Sequence, residues 1–190
     1  MEAAAGEKLE KSASAEDEEG MEMLKLVKME EQYWPQLTEM MDEWTASGEK
    51  IIPMSIRKCD YHHREAYLDS LEVKEEGGKL VPDSTYFCLD TEENAFVGAV
   101  NIRHRLNERL LHAGGHIGDG IRPSRRGSGL GTEMIGLALE KCREMGIRRV
   151  LMCCDKDNPA SARTIQKNGG RLENEVLDGE DVVQRYWIDT

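Results

Sequence analysis

A strand that runs into a proline, a glycine cluster and then a long amphipathic helix leaves residues 117–145 little freedom in how they fold. The stretch from Ile117 to Met134 reads I-G-D-G-I-R-P-S-R-R-G-S-G-L-G-T-E-M. Pro123 lacks the N–H that a continuing strand needs. Gly127, Gly129 and Gly131 let the backbone turn without a Cβ clash. They also gather several amide N–H groups at the start of a helix, where unpaired donors and a partial positive charge suit a phosphate. That helix spans Gly129 to Met145, with Leu130, Met134, Leu137, Ala138, Cys142 and Met145 on one face.

The charge pattern agrees. The chain of 190 residues carries a net charge of −12, yet the segment from Gly118 to Val150 holds seven basic and four acidic residues. A local basic patch on an acidic protein points to a small anionic ligand. The overall balance argues against a general nucleic-acid binder. No run of about 18 apolar residues exists, so no membrane span is expected. The five cysteines are odd in number and irregularly spaced. They read as reduced thiols of a cytoplasmic protein, not as a disulfide framework.

The length suits one domain. Residues 1–20 contain six Glu, one Asp and two Lys and no aromatic residue. Too little apolar surface is available there to offset ordering, so residues 1–21 are expected to be a disordered acidic leader. It has neither the apolar block of a secretory signal nor the basic character of a transit peptide. Met21 or Met23 could serve as an alternative start. The folded unit is then residues 22–190.

Within it, Leu24 to Met29 alternates as a half-buried strand does. Glu30 to Thr45 is a helix with Trp34, Leu37, Met40, Met41 and Trp44 at helical spacing and Pro35 near its start. Cys59 to Glu76 is a second helical pattern, stopped by Gly77-Gly78. Thr85–Asp90, Ala95–Arg103 and His112–Ile121 read as strands. Arg149–Cys154 is a buried-type strand. Asn158 caps a helix with Pro159 at its first position. Arg171–Leu177 and Val182–Ile188 close the chain around the Asp178-Gly179 turn. The order β-α-α-β-β-β-α-β-α-β-β predicts an α/β (α+β) domain, a mixed sheet of about seven strands flanked by four helices.

The glycine loop is not a Walker loop, because Gly131 is followed by Thr132 and Glu133. Nor is it a dinucleotide fingerprint, because Thr132 and Met134 stand where the third glycine belongs. What remains is R-x-x-G-x-G, Arg126 to Gly131. Together with the later N-P-A-S-A-R-T-I-Q-K-N-G-G block from Asn158 to Gly170 and the element order, it resembles the GNAT superfamily of acyl-CoA-dependent N-acyltransferases. The resemblance covers roughly residues 23–190. It is strongest to a bacterial branch with a G-G-H-I-G strand (Gly114 to Gly118) and a Q-R-Y-W ending (Gln184 to Trp187).

The resemblance implies acetyl-CoA as co-substrate, no metal, and an amine acceptor. It implies that backbone N–H groups of Arg126, Gly127, Ser128, Gly129, Leu130 and Gly131, with Thr132 opening the helix, hold the coenzyme's diphosphate. It implies that the strand end at Ile121 and Arg122 pairs with the pantetheine arm, that an N–H near Ile121 stabilises the oxyanion, and that Asn158 approaches the arm. The strands ending at Ile121 and Cys154 must splay to admit the thioester. Many members carry a Tyr at the slot of Ile165, which here has no hydroxyl, so no general acid follows.

Amine attack on a thioester needs a proton acceptor. His116 is the first candidate, because an unperturbed imidazole titrates near pH ~6.5. Regular alternation puts His112, Gly114, His116, Gly118 and Gly120 on one face. Asp119 is the second, standing where many relatives have an aromatic. His112 and His116 lie ~13 Å apart on a regular strand, too far to share one metal ion. Cys153 and Cys154 read as buried thiols, His62-His63 as solvated, and Asn101, Arg103, His104 and Arg105 as a polar strand end. Tyr61, Glu65 and Glu72 fall in the region that shapes the acceptor site in this family. The expected activity is acetyl transfer to a primary amine of a small molecule or a protein. The alternatives are a non-catalytic acyl-CoA sensor of the same fold, or a binder of another phosphate ligand. Neither nucleic acid nor membrane is an expected partner, and a homodimer is left open.

Overall fold

The computed structural model describes residues 23–75 and 80–190. The acidic leader and the Gly77-Gly78 helix stop lie outside the described residues. Seven strands and four α-helices follow the expected order. They are β1 (Leu24–Val27), α1 (Trp34–Ala46), α2 (Arg64–Ser70), β2 (Asp83–Asp90), β3 (Ala95–Arg103), β4 (Ile117–Ile121), α3 (Leu130–Glu144), β5 (Arg149–Asp155), α4 (Pro159–Lys167), β6 (Arg171–Asp178) and β7 (Asp181–Asp189).

All hydrogen-bonded pairs are antiparallel, in the orders β1-β2-β3-β4 and β5-β7-β6. The expected mixed sheet is therefore divided between β4 and β5, which lie side by side without a ladder. The strand count and the predicted splay agree with the sequence reading.

Two apolar clusters cover the two faces. On one face α3 buries Met134, Ile135, Ala138 and Cys142 against Val100, Ile117, Val150, Met152 and Tyr186. On the other, α1 buries Trp34, Leu37, Met40, Met41 and Trp44 against Tyr67, Phe87, Phe96 and Ala99. Each fully buried large side chain contributes roughly 1.5–3 kcal/mol, so these stripes fix which way each helix faces. The α1 stripe ends where Gly48 takes a left-handed turn with φ 71°.

Two expectations need correction. The second helical pattern condenses to Arg64–Ser70. At its start the Asp60 carboxylate accepts the His62 N–H at 2.9 Å and holds a turn. At its end Val73 exchanges hydrogen bonds with Asp83, its N–H reaching Asp83 Oδ1 at 2.8 Å and its carbonyl accepting the Asp83 N–H at 3.0 Å. The chain leaves the helix to meet β2.

The second correction concerns His112. Residues Leu110–Gly114 form a π-helical turn, Gly115 follows at φ 66°, and β4 begins only at Ile117. His112 leaves the strand altogether, and its Nε2 meets the Leu177 carbonyl at 2.8 Å. The five-residue face drawn from regular alternation does not exist, because a left-handed glycine breaks the pleat.

Candidate active site

The open edge of β4 is set by ladder geometry. Arg122 N–H donates to Val97 C=O at 2.9 Å, and His116 C=O accepts from Arg103 N–H at 2.7 Å. In an antiparallel pair the backbone groups of alternate residues point to opposite sides. With the even-numbered groups spent on β3, the N–H and C=O of Asp119 and Ile121 point toward β5. This corrects one expectation: of Ile121 and Arg122, only Ile121 presents its backbone to the gap.

Gly120 of β4 is closed from the α1 side. A Cβ on Gly120 would stand 2.5 Å from the Ile52 carbonyl oxygen and 2.9 Å from the Trp44 ring. Only glycine allows that approach.

Arg122 instead anchors the loop. Its guanidinium, 5% exposed, donates to Glu43 Oε2 at 2.5 Å, Glu39 Oε1 at 3.0 Å and the Phe96 carbonyl at 3.2 Å. Glu43 also accepts the Ser124 N–H at 2.8 Å and the Ser124 hydroxyl at 3.0 Å. Although burial opposes it, these hydrogen bonds from Ser124 and Arg122 hold the Glu43 carboxyl below its ordinary range. Helix α1 and the start of the glycine loop are thereby locked together.

Beyond this lock the loop turns outward. Gly127 and Gly129 sit at φ 82° and 93°, left-handed conformations that strain any other residue. Thr132 and Glu133 donate back to the Gly129 carbonyl. Among the described residues, the N–H groups of residues 127–131 donate to no backbone carbonyl. They stand at the N-terminus of α3 with Gly129 as its cap residue, an arrangement that fits a diphosphate. The Arg126 side chain does not project into this nest. Its Nε donates to the Ile121 carbonyl at 2.9 Å, its Nη1 to Glu49 Oε2 at 2.5 Å, and its guanidinium lies 5.7 Å from the centre of the Trp44 ring.

His116 is 7% exposed and joins the two sheets. Its N–H donates to the Leu151 carbonyl at 2.7 Å, and its Nδ1 accepts the Leu151 N–H at 2.9 Å. With Nδ1 accepting, the ring proton sits on Nε2, assigned from the bonding pattern. No ring lone pair is left to take a proton from a substrate. Burial and the nearby Arg103 charge push the imidazole down to about 4. This corrects the sequence expectation of His116 as the base.

Asp119 pairs with Val100 of β3. It lies on the strand face shared with Ile117 and Ile121, both packed in the α3 cluster. Burial pushes its carboxyl up to about 6, with Arg103 pulling the other way. Cys154, at the end of β5, lies within electrostatic reach of Asp119, and the Ser161 side chain of α4 stands near its thiol. Burial raises its thiol pKa. The gap thus brings together a carboxyl from β4, a thiol from β5 and a hydroxyl from α4.

Ser161 escaped the sequence reading. It lies one helical turn before Ile165, hence on the same face of α4. Ile165 itself is buried in the core, 1% exposed. Asn158 caps α4, its Oδ1 accepting the Ser161 N–H at 3.1 Å. A cavity of about 330 Å³ lies on the α1 side, lined by Met41, Ile51 and residues 57–61. Tyr61 at its rim donates to Asp42 Oδ1 at 2.5 Å. Among the described residues no group of three His, Cys, Asp or Glu could hold a metal ion, and no helix is long and apolar enough to cross a membrane.

Comparison with known proteins agrees with this architecture. By sequence the chain matches no curated protein. Among solved structures it is similar to a GNAT-family acetyltransferase from Bacillus anthracis (20% identity, 88% of this chain and 95% of that one, TM-score 0.61). It is similar to the microcin C7 self-immunity acetyltransferase MccE in complex with acetyl-CoA and AMP (15%, 89% and 93%, 0.64). It is also similar to RimL, a ribosomal L7/L12 alpha-N-protein acetyltransferase, in complex with coenzyme A (18%, 88% and 94%, 0.65). At these identities the likeness is one of fold. Residues 23–171 match the family model for the acetyltransferase (GNAT) domain, and the chain therefore belongs to the GNAT acetyltransferase family.

Proposed function

We propose that the protein is a cytoplasmic N-acetyltransferase that moves an acetyl group from acetyl-CoA to a primary amine. The observation that carries this reading is the juxtaposition of two sets of backbone donors, the N–H groups of residues 127–131 and the Ile121 N–H on the open β4 edge. The first set, with Arg126 and Thr132 at its ends, suits a diphosphate. The second suits an oxyanion. Between them the coenzyme supplies an activated acetyl thioester. Two of the similar structures hold acetyl-CoA or coenzyme A.

Asp119 takes the ammonium proton in this reading. A carboxyl raised to about 6 is mostly ionised above neutrality yet basic enough to serve. Ser161 returns a proton to the departing thiolate in this reading. It takes the part of the hydroxyl that Ile165 lacks. His116 is a positioning residue that fixes where β4 and β5 part. The acceptor enters from the α1 side, where Tyr61 and the cavity lie, and its amine reaches Asp119 through the gap between β4 and β5; the acceptor of RimL is a protein amino group.

The absence of a hydroxyl at Ile165 favours one rival, an acyl-CoA sensor without turnover. Thiol release from acetyl-CoA, followed across amino acids, peptides and polyamines, separates the two. An amine-dependent burst of free thiol with an acetylated product by mass spectrometry supports the enzyme. Coenzyme binding without thiol release supports the sensor. No binding at millimolar coenzyme A overturns both.

A further inference from the structure

Arg126 lies where a ligand of the β4 edge has to go. Its Nε holds the Ile121 carbonyl at 2.9 Å, and Nη1 holds Glu49 at 2.5 Å with the guanidinium over Trp44. That carbonyl is on the open edge, and a pantetheine arm added to β4 as a strand needs it as an acceptor. The guanidinium and the arm compete for the same oxygen and for the space in front of it.

We propose that Arg126 is a specificity-determining residue: it makes the site select coenzyme A over pantetheine compounds that lack the nucleotide diphosphate. This rests on the reading of the site given above. A bare pantetheine arm must displace the guanidinium from a carbonyl and a carboxylate and offers no anion in exchange. Coenzyme A brings its diphosphate to residues 127–131, next to Arg126 in the chain. The displaced guanidinium then exchanges the Glu49 carboxylate for a phosphate oxygen, a charge-assisted bond of similar strength. The same arginine opposes the short ligand and assists the long one. Its position explains why a loop already supplied with backbone donors also carries an arginine whose side chain folds back onto the strand.

Calorimetry of the full chain with coenzyme A and with pantetheine tests this. In Arg126→Met, which keeps the stem over Trp44 and removes the guanidinium, pantetheine binds roughly two- to tenfold tighter, as expected for one hydrogen bond no longer displaced, while coenzyme A, which loses the phosphate bond but is also spared the displacement, changes little. The ratio of the two affinities therefore falls roughly two- to tenfold. Glu49→Gln loosens the guanidinium without removing it and tightens pantetheine in the same direction. An unchanged ratio in Arg126→Met, or weaker pantetheine binding there, overturns the proposal while leaving coenzyme binding intact. If coenzyme A fails to bind the unaltered protein, the reading of the whole site fails and takes this proposal with it.

Discussion

His116 and Leu151 exchange two hydrogen bonds across the gap between the sheets, His116 N–H to Leu151 C=O at 2.7 Å and Leu151 N–H to His116 Nδ1 at 2.9 Å. A side-chain nitrogen here does the work of a backbone carbonyl. β4 and β5 are held together at this point and run on without a ladder beyond it.

Protonating that imidazole breaks the joint. His116 titrates at about 4 when folded and near ~6.5 when unfolded. Its contribution is full above about pH 6.5 and is lost as pH falls through about 4, at most about 3 kcal/mol. Asp119 has the opposite sign, since its folded value is raised to about 6. It stabilises below the ordinary carboxylate range near ~3.9 and that contribution is lost as pH rises through about 6. The two slopes oppose each other in one window. Asp119→Asn removes one of them, so its denaturant midpoint should fall between pH 6.5 and 4 more steeply than that of the parent. Parallel curves would show that the two groups do not titrate as described.

Asp119→Asn should lower turnover by about 10²-fold or more, the usual magnitude for a lost general base. Coenzyme A affinity should stay within a few-fold, and the shoulder near pH 6 in the rate profile should vanish. A variant with the parent's kcat and pH profile would exclude Asp119 from proton transfer.

Ser161→Ala should reduce kcat by about tenfold to 10²-fold with little change in KM for acetyl-CoA. The reduction should shrink with an acetyl thioester whose leaving thiol is more acidic, because such a thiolate needs less help. Equal reductions for both donors would assign Ser161 to packing against Cys154 instead.

Glu43→Ala leaves the buried Arg122 guanidinium short of a partner and frees Ser124. Loss of one partner from a buried ion pair costs about 3 kcal/mol. Thermal denaturation should show it, and coenzyme A should bind more weakly because the loop has lost its anchor. Unaltered stability would mean that Glu39 alone suffices for Arg122.

What the sequence makes legible follows from how locally each feature is determined. Gly127 and Gly129 are required by their own backbone angles, and Asn158 caps α4 through a contact only three residues along the chain, so both could be read from short spacing. The α1 and α3 stripes are periodic over several turns and survive any tertiary context. Alternation misplaces His112 because it assumes a pleat, and Gly115 ends the pleat with a left-handed angle that its neighbours do not encode. Ser161 was invisible for another reason. Its role depends on which face of α4 meets Cys154, and that is fixed by packing between segments far apart in the chain. The Arg126 side chain could have turned either way, toward the diphosphate nest or back toward Glu49.

The missing Cβ at Gly120 carries a practical consequence. With Ile52 and Trp44 pressed against it, redesign of this strand has no latitude at position 120. A library aimed at new acceptors should hold Asp119 and Gly120 fixed and diversify residues 57–61, because side chains that border the cavity can change volume without dislodging α1.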